Sequence, residues 1–267
     1  MNYGRNAVML CCFAAATLGG CGENRGTILT VANTTVWHPA AVTSWQLQLT
    51  GTVDTTPDVQ MFDIDLFDVD ASVVATLHRK GAKVICNTSA GSSEDWRSDA
   101  ASFPAAILGN TDGSPGERWL DIRATDVLGP IMKARLDLCH SKGFDGVGVD
   151  NVDGYANTTG FPITAADQLA YNRFLATEAH ARGLSIGLAN DLNQAADLLG
   201  DFDWILDEQC FEYNECNRMQ PFVDADKAVF HVEFNLETSA FCPQANMLNF
   251  NSMKKNVSLD AARWPCR

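Results

Sequence analysis

The hydrophobic pattern of the chain repeats one join three times, in which a helix-periodic segment ends in a basic residue and a glycine before an apolar run. The joins are Lys80-Gly81 before AKVICNTSAG, Lys142-Gly143 before FDGVGVDNVD and Arg182-Gly183 before LSIGLANDLN. Glycine just past a helix accepts the left-handed conformation that ends it, and a cation in the last turn complements the helix dipole. The pattern predicts helices that alternate with strands.

Nine short apolar runs are candidate strands. They are residues 45–49, 59–64, 83–88, 119–122, 146–151, 185–190, 204–208, 228–234 and 247–250. Repeated βα units of this length predict a parallel sheet, and the first run lacks the Gly-x-Gly-x-x-Gly turn of a nucleotide-binding doubly wound sheet. We therefore expect an α/β fold, a single-domain (β/α)8 TIM-like barrel over residues 36–267. One of the nine runs is then an accessory strand.

The N-terminal residues have the pattern of an export signal. Arg5 precedes an apolar run over residues 7–18, and Leu18-Gly19-Gly20-Cys21 resembles the lipobox of bacterial lipoproteins. We predict that residues 1–20 are a signal peptide and that Cys21 is the lipidated first residue of a secreted or cell-envelope bacterial protein. An ordinary signal peptide is the alternative. No later apolar run reaches the length of a membrane span, so we expect membrane contact only through this lipid.

Cysteine usage agrees with export. Of nine cysteines, six lie beyond residue 21, and an even number in an exported chain predicts disulfides. Six cysteines allow fifteen pairings, and we favour Cys210 with Cys216 and Cys242 with Cys266. The spacings do not match those of zinc sites and no histidine cluster accompanies them. We therefore expect no metal and no other cofactor.

The charge balance narrows the class of ligand. The chain carries 33 acidic and 19 basic residues, a formal net charge of −14. Removal of the predicted signal takes away Arg5 alone and leaves the chain more acidic still. This charge disfavours nucleic acid and anionic membranes as partners. A neutral or cationic ligand fits better, although acidity for solubility alone is an equal alternative.

Polar residues collect where the predicted strands end, which is where a barrel builds its site. The residues that we expect there are Asp63, Asp65, Asp150, Asn190, Glu208 and Glu233, with Asp153 just beyond the strand that carries Asp150. Two carboxyl groups across a cleft can cleave a glycosidic bond, one as a proton donor and the other as a nucleophile or base. Any single acid has helix capping or ion pairing as an alternative role. Because side chains alternate along a strand, Asp207 and Glu208 face opposite ways.

Seven sequence blocks then resemble one enzyme family. They are WQLQLTG, MFDIDLFD, VICNTSAGSSEDWR, GERWLDIR, GFDGVGVDNVDGY, FDWILDEQCFEYNEC and PFVDADKAVFHVEF, which span about residues 36–250. Their order and spacing resemble the endo-α-1,4-polygalactosaminidases of glycoside hydrolase family 114. The resemblance implies a (β/α)8 barrel and endo-acting hydrolysis of a galactosamine-containing polysaccharide.

The resemblance also implies roles for individual residues. The family's catalytic aspartate falls on Asp150 and its catalytic glutamate on Glu208, which we expect to be the nucleophile or base and the general acid. Substrate binding is expected from Asp63, Asp65, Asp153, Asn190 and Glu233, with Trp45 and Tyr155 stacking on sugar rings.

Two departures from the family pattern leave other functions open. Gly148-Val149 stands where many relatives have Glu-Pro, and Ala189 stands where many have lysine. They motivate an alternative, a carbohydrate-binding lipoprotein whose catalysis has decayed. The excess of aspartate motivates a third hypothesis, metal-dependent hydrolysis.

Overall fold

Helices and strands alternate along the chain, as the sequence pattern predicts. The computed structural model describes residues 36–267, so the predicted signal peptide and Cys21 lie outside the described residues. The strands within this range are β1 (Trp45–Gln48), β2 (Met61–Asp65), β3 (Lys83–Ser89), β4 (Ser92–Glu94), β5 (Leu108–Thr111), β6 (Glu117–Leu120), β7 (Gly146–Asp150), β8 (Ser185–Ala189), β9 (Trp204–Glu208), β10 (Val229–Glu233), β11 (Asn251–Lys254) and β12 (Trp264–Pro265). The helices are α1 (Ala71–Arg79), α2 (Thr125–Lys142), α3 (Ala165–Ala181), α4 (Ala195–Leu198), α5 (Gln220–Asp224) and α6 (Thr238–Met247).

One curled sheet organises the described residues. Its eight parallel strands follow the order β1-β2-β3-β7-β8-β9-β10-β11, and the antiparallel β12 extends it. The parallel order agrees with the expected barrel. The predicted run 119–122 is not part of this sheet, because it overlaps β6 in a separate antiparallel sheet of order β4-β6-β5. The predicted run 247–250 is also wrong, since α6 continues to Met247 and the strand begins at Asn251.

The ring of backbone pairing does not close between β1 and β11 within residues 36–267. The C-terminal segment spans this seam instead. Arg263 donates to the carbonyl oxygen of Trp45 over 2.8 Å, and the Gln46 amide donates to that of Ala261 over 2.9 Å. The buried ammonium group of Lys255 donates to the carbonyl oxygens of Asp260 and Ala262. These side chains, together with the backbone hydrogen bond from the N–H of Leu49 to the carbonyl oxygen of Leu259 at 2.9 Å, link the segments that strand pairing joins in a closed (β/α)8 barrel.

Alternation along the strands separates two apolar layers. The inner layer includes Trp204, Leu206 and Phe230, while Ile205 packs in the outer layer between sheet and helices. Trp204 occupies so much of the interior that a Cβ atom on Gly187 would lie 2.2 Å from its ring. A larger residue at position 187 would displace the indole, because protein interiors are close-packed.

The three predicted glycine helix ends are confirmed, because Gly81, Gly143 and Gly183 all have positive φ there. A capping box formed by Thr164 and Asp167 begins α3. No helix among residues 36–267 combines the length and apolar composition that a membrane crossing requires.

Three disulfides link the described residues. Cys210–Cys216 and Cys242–Cys266 are the favoured pairs, and both are confirmed. The third, Cys86–Cys139, ties the outer face of β3 to α2 and closes a loop with a sequence separation of 53 residues.

Candidate active site

Three adjacent parallel strands end in residues with left-handed backbone. Asn151, Asn190 and Gln209 follow β7, β8 and β9 directly and have φ values of 57°, 65° and 70°. Asparagine tolerates this conformation better than most residues, whereas glutamine adopts it rarely. Such backbone commonly marks functional sites. The turns place Asp150 and Glu208 as the last residues of their strands, at the C-terminal edge of the sheet.

Asn190 lies between the two predicted catalytic carboxyl groups. Its Oδ1 accepts a hydrogen bond from the backbone N–H of Glu208 at 3.0 Å. Its side chain is also within hydrogen-bonding reach of the carboxyl groups of both Asp150 and Glu208. The backbone N–H of Asn151 donates to Asp150 Oδ1 at 2.7 Å. Asn151 and Asn190 thus fix the positions of Asp150 and Glu208 through hydrogen bonds.

Burial changes the ionisation of both acids. It raises the pKa of Glu208 to about 7, and the negative charge of Asp150 adds to this rise, while the Asn190 amide opposes it. Burial also raises the pKa of Asp150, against the opposing hydrogen bonds from Asn151 and Asn190. Glu208 therefore retains its proton for much of the time near neutral pH, which a general acid requires.

Two pockets meet at this carboxyl pair. The Glu208 pocket has a volume of about 240 Å³ and is lined by Asp153, Tyr155, Ala156, Asn190, Asp191, Leu192, Asn193, Asp207, Glu208, Gln209, Tyr213, Glu215 and Arg218. The Asp150 pocket has a volume of about 320 Å³ and is lined by Leu49, Thr50, Asp65, Asp68, Asn87, Thr88, Ser89, Glu94, Trp96, Arg97, Glu117, Asp150 and Asn151. Each pocket has five acidic residues and a single arginine in its lining. Together they form an acidic cleft.

The structure brings most of the predicted site residues into this cleft. Asp153, Tyr155 and Asn190 line the Glu208 pocket, and the Tyr155 hydroxyl donates to Asp191 over 3.4 Å. Asp65 lines the Asp150 pocket, but its carboxylate is already bound by Arg97 at 2.6 Å. Asp65 therefore reaches a ligand only through the network around this arginine.

Three predicted binding residues, Trp45, Glu233 and Asp63, lie outside both pockets. Trp45 begins β1, at the opposite end of the sheet from the cleft, where it is 2% exposed and donates to the carbonyl oxygen of Asn251. Glu233 lies on the outer face of β10 with no exposed surface, and it accepts hydrogen bonds from the backbone N–H of Phe211 and from His231. Trp45 packs in the core, and Glu233 anchors the loop after β9.

Asp63 lies beneath the cleft, in the barrel interior. It has no exposed surface, and within residues 36–267 neither carboxyl oxygen has a hydrogen-bond partner. Burial raises its pKa to about 8. The side chain is therefore neutral near pH 7 and adds little charge repulsion to Asp150 above it.

Two aromatic side chains exposed in the cleft were not among the residues predicted from the sequence. Trp96 is 52% exposed in the Asp150 pocket, and Tyr213 is 63% exposed in the Glu208 pocket. Both belong to blocks that carried the family resemblance, SAGSSEDWR and FEYNEC. Their location in polar loops rather than in apolar strands is the signal that distinguishes them from Trp45.

The structure also bears on the metal hypothesis. Among residues 36–267 one group, Asp207, Cys210 and His231, has side-chain atoms close enough together for a metal. The sulfur of Cys210 is bonded to Cys216, so it offers no thiolate. The imidazole of His231 is shared with Glu233 and Ser252. Two of the three side chains, those of Cys210 and His231, therefore already have other partners.

Two neighbouring carboxyl groups in an acidic cleft, at the C-terminal edge of a barrel-like sheet, are typical of glycoside hydrolases. The model of glycoside-hydrolase family GH114 matches residues 26–267, and the chain belongs to this family. The structure is similar to that of Aspergillus fumigatus Ega3, solved as a complex with galactosamine. The two chains are 40% identical with a TM-score of 0.83, over 87% of this chain and 98% of Ega3.

A second solved structure shares the fold. The glycoside hydrolase domain of PelA from Pseudomonas aeruginosa is 12% identical with a TM-score of 0.65, over 82% of this chain and 97% of that domain. No curated protein matches the chain by sequence. Family membership and the likeness to Ega3 together make this chain a glycoside hydrolase.

Proposed function

We propose that this glycoside hydrolase cleaves α-1,4-linked galactosamine polymers at internal bonds, with Glu208 as the general acid and Asp150 as the nucleophile or base. The observation that carries the proposal is the acidic cleft, whose two pockets meet at these residues. An amino sugar is cationic at neutral pH, so the excess of acidic over basic residues in each pocket favours its binding. The likeness to Ega3, a protein solved with galactosamine, supports the same sugar. The linkage rests on the family resemblance of the sequence blocks.

The two acids act in different protonation states, Glu208 as the protonated acid and Asp150 as the carboxylate. Glu208, with its pKa raised to about 7, donates a proton to the leaving glycosidic oxygen. Asp150, ionised and held by Asn151 and Asn190, attacks the anomeric carbon or removes a proton from an attacking water. Internal cleavage fits a cleft that continues on both sides of the pair, because the polymer then binds in both pockets at once.

Product analysis on defined α-1,4-galactosamine oligomers tests the proposal. Wild-type protein is expected to release short oligomers from the interior of the chain, with little cleavage of galactose chains of the same linkage. Exclusive release of monosaccharide from one end would contradict endo action. Saturable binding without new reducing ends would favour the decayed carbohydrate-binding protein. Undiminished hydrolysis in the presence of a chelator would exclude a metal-dependent reaction.

Asn190→Gly is expected to move both limbs of the pH profile of kcat to higher pH. The Asn190 amide stabilises the ionised forms of Asp150 and Glu208, so its loss raises the pKa of both. The acidic limb moves to higher pH because Asp150 ionises only at a higher pH. The alkaline limb moves to higher pH because Glu208 keeps its proton to a higher pH. Loss of one charge-assisted hydrogen bond lowers the maximal kcat roughly tenfold.

Gln209→Gly is the matched control for this variant. It changes a left-handed residue at the end of the neighbouring strand, whose side chain donates to Glu212. Glycine keeps the positive φ in both variants. The pH limbs of Gln209→Gly are expected to stay in place. A shift of equal size in the two variants would show that backbone freedom, not the Asn190 amide, sets the ionisation.

Trp96→Ala and Tyr213→Ala are each expected to raise KM for long oligomers roughly three- to tenfold with a smaller change in kcat. The two rings are exposed in different pockets, so each offers a stacking surface on its own side of the carboxyl pair. Met247→Ala is the control, since Met247 is 80% exposed on α6, outside both pockets. Steady-state kinetics on oligomers of increasing length measure the effect. An equal rise in KM for Met247→Ala would contradict it.

A further inference from the structure

Two glutamates face each other in the small antiparallel sheet that borders the Asp150 pocket. Glu94 on β4 lies directly opposite Glu117 on β6 in the strand register, and both line the pocket. Like charges at directly opposed positions destabilise a sheet. Burial raises the pKa of Glu117 to about 8, with Asp112 and Glu94 adding to the rise. A cation near the two carboxyl groups would favour the ionised form of Glu117 and offset its repulsion by Glu94.

Glu94 has one carboxyl oxygen free for such a cation. Its side chain is only 6% exposed, and Oε1 is bound by Arg97 at 2.8 Å. Oε2 has no hydrogen-bond partner within residues 36–267. A buried carboxylate oxygen without a partner is unfavourable. This oxygen points to a ligand that supplies the missing donor.

Tight packing holds β4 next to the catalytic strand end. The backbone N–H of Ala90 donates to the carbonyl oxygen of Asp150 at 2.9 Å, and a Cβ atom on Gly91 would overlap the carbonyl oxygen of Asn151. The charge of Glu94 in turn raises the pKa of Asp150. Glu94 is therefore fixed close to the carboxyl group that acts on the substrate. A sugar in this pocket presents its substituents to both residues.

We propose that Glu94 binds the 2-ammonium group of the sugar unit in the Asp150 pocket and thereby selects free galactosamine over N-acetylgalactosamine. The inference rests on the function proposed above and assigns its specificity to one residue. An ammonium group supplies three donors and a positive charge to Oε2 and to the facing Glu117. An N-acetyl group has no positive charge and brings a carbonyl oxygen, which leaves Oε2 without its charge-assisted hydrogen bond.

Glu94→Gln tests the proposal against two substrates of equal length, a fully deacetylated and a fully N-acetylated α-1,4-galactosamine oligomer. The variant is expected to lower kcat/KM on the deacetylated oligomer roughly 10- to 100-fold, the effect of one charged hydrogen bond. It is expected to change kcat/KM on the acetylated oligomer less than about threefold, because the lost contact is absent there. Equal losses on both substrates, or no loss on either, would overturn the proposal.

Asp68→Asn is the matched control. Asp68 lines the same pocket and carries the same charge, but its side chain is 74% exposed. Its removal is expected to lower kcat/KM on both oligomers alike, by less than about threefold, because an exposed charge is screened by solvent. If Asp68→Asn changed the preference for the deacetylated oligomer as strongly as Glu94→Gln does, the overall negative charge of the cleft would explain this preference, and the role of Glu94 would be contradicted.

Binding measurements keep this inference separate from the proposed hydrolysis. Calorimetric titration with the deacetylated oligomer, in a Glu208→Gln background, reports the Glu94 contact without turnover. Glu94→Gln is expected to weaken this binding roughly 10- to 100-fold, and unchanged binding would contradict the role of Glu94. If loss of the ion pair with Arg97 unfolds Glu94→Gln, Glu117→Gln replaces it as the test. The preference of Glu117→Gln for the deacetylated oligomer over the acetylated one is also expected to fall. An inactive wild type that still binds through Glu94 would overturn the proposed hydrolysis alone.

Discussion

Asp150→Asn and Glu208→Gln are each expected to lower kcat on an α-1,4-galactosamine oligomer roughly 1,000-fold or more. Glutamine cannot donate a proton to the leaving oxygen, and asparagine can neither attack the anomeric carbon nor act as a base. Both amides keep the shape of the acid they replace. Each also removes a charge from a pair in which one carboxyl raises the pKa of the other. The variants are therefore expected to melt no lower than the wild-type protein.

Reducing-end assays and thermal melting measure the two effects together. Asp121→Asn is the matched control. Asp121 is also an aspartate at a strand end, since it directly follows β6, but it is paired with Arg123 at 2.7 Å and lies outside both pockets. This control is expected to retain most of the activity. Near-native kcat in either Asp150→Asn or Glu208→Gln would remove that residue from the proposed pair.

The double variant Cys86→Ala/Cys139→Ala is expected to lose about 4 kcal/mol of unfolding free energy. The loop it opens has a sequence separation of 53 residues and contains β4 to β6, hence Glu94 and Glu117. Both cysteines have no exposed surface, and alanine leaves no unpaired polar group in their place. Urea denaturation monitored by tryptophan fluorescence measures the loss.

Cys242→Ala/Cys266→Ala is the comparison for this variant. Its disulfide has a sequence separation of 24 residues, so the same loop-entropy model gives about 3.5 kcal/mol. Cys242 and Cys266 are also only partly buried. A larger loss from this pair than from Cys86 and Cys139 would show that loop entropy is not the dominant contribution of the buried disulfide.

Strand positions were largely predictable from the continuous apolar runs. Seven of the nine predicted runs overlap parallel strands of the curled sheet. The run 119–122 is also a strand in part, but it pairs antiparallel with β4 and β5 in a separate sheet, and its composition does not show which strands it pairs with. The seam between β1 and β11 was not predictable, since side chains far along the chain bridge it. Periodicity carries no information about such long-range contacts.

Cleft residues were predictable where they lie at a strand end. Asp150 and Glu208 are the last residues of β7 and β9, and each lines a pocket, but Asp207 lines the Glu208 pocket as well, which the alternation along β9 did not predict. Trp45 was misplaced because it begins its strand, at the opposite edge of the sheet. Glu233 was misplaced because its position along β10 turns it to the outer face, where the backbone of the next loop binds it.

Local sequence patterns were sufficient to predict seven of the eight parallel strands, two of the disulfides and the strand ends that carry Asp150 and Glu208. These features depend on local periodicity, on turn residues and on the spacing of motifs within one segment. Local patterns did not show that Asn190 lies between Asp150 and Glu208, that Trp96 and Tyr213 are exposed in the two pockets, or that Glu94 faces Glu117. Each of these contacts joins different strands and loops. Burial and register, which set both charge and exposure, exist only after the chain has folded.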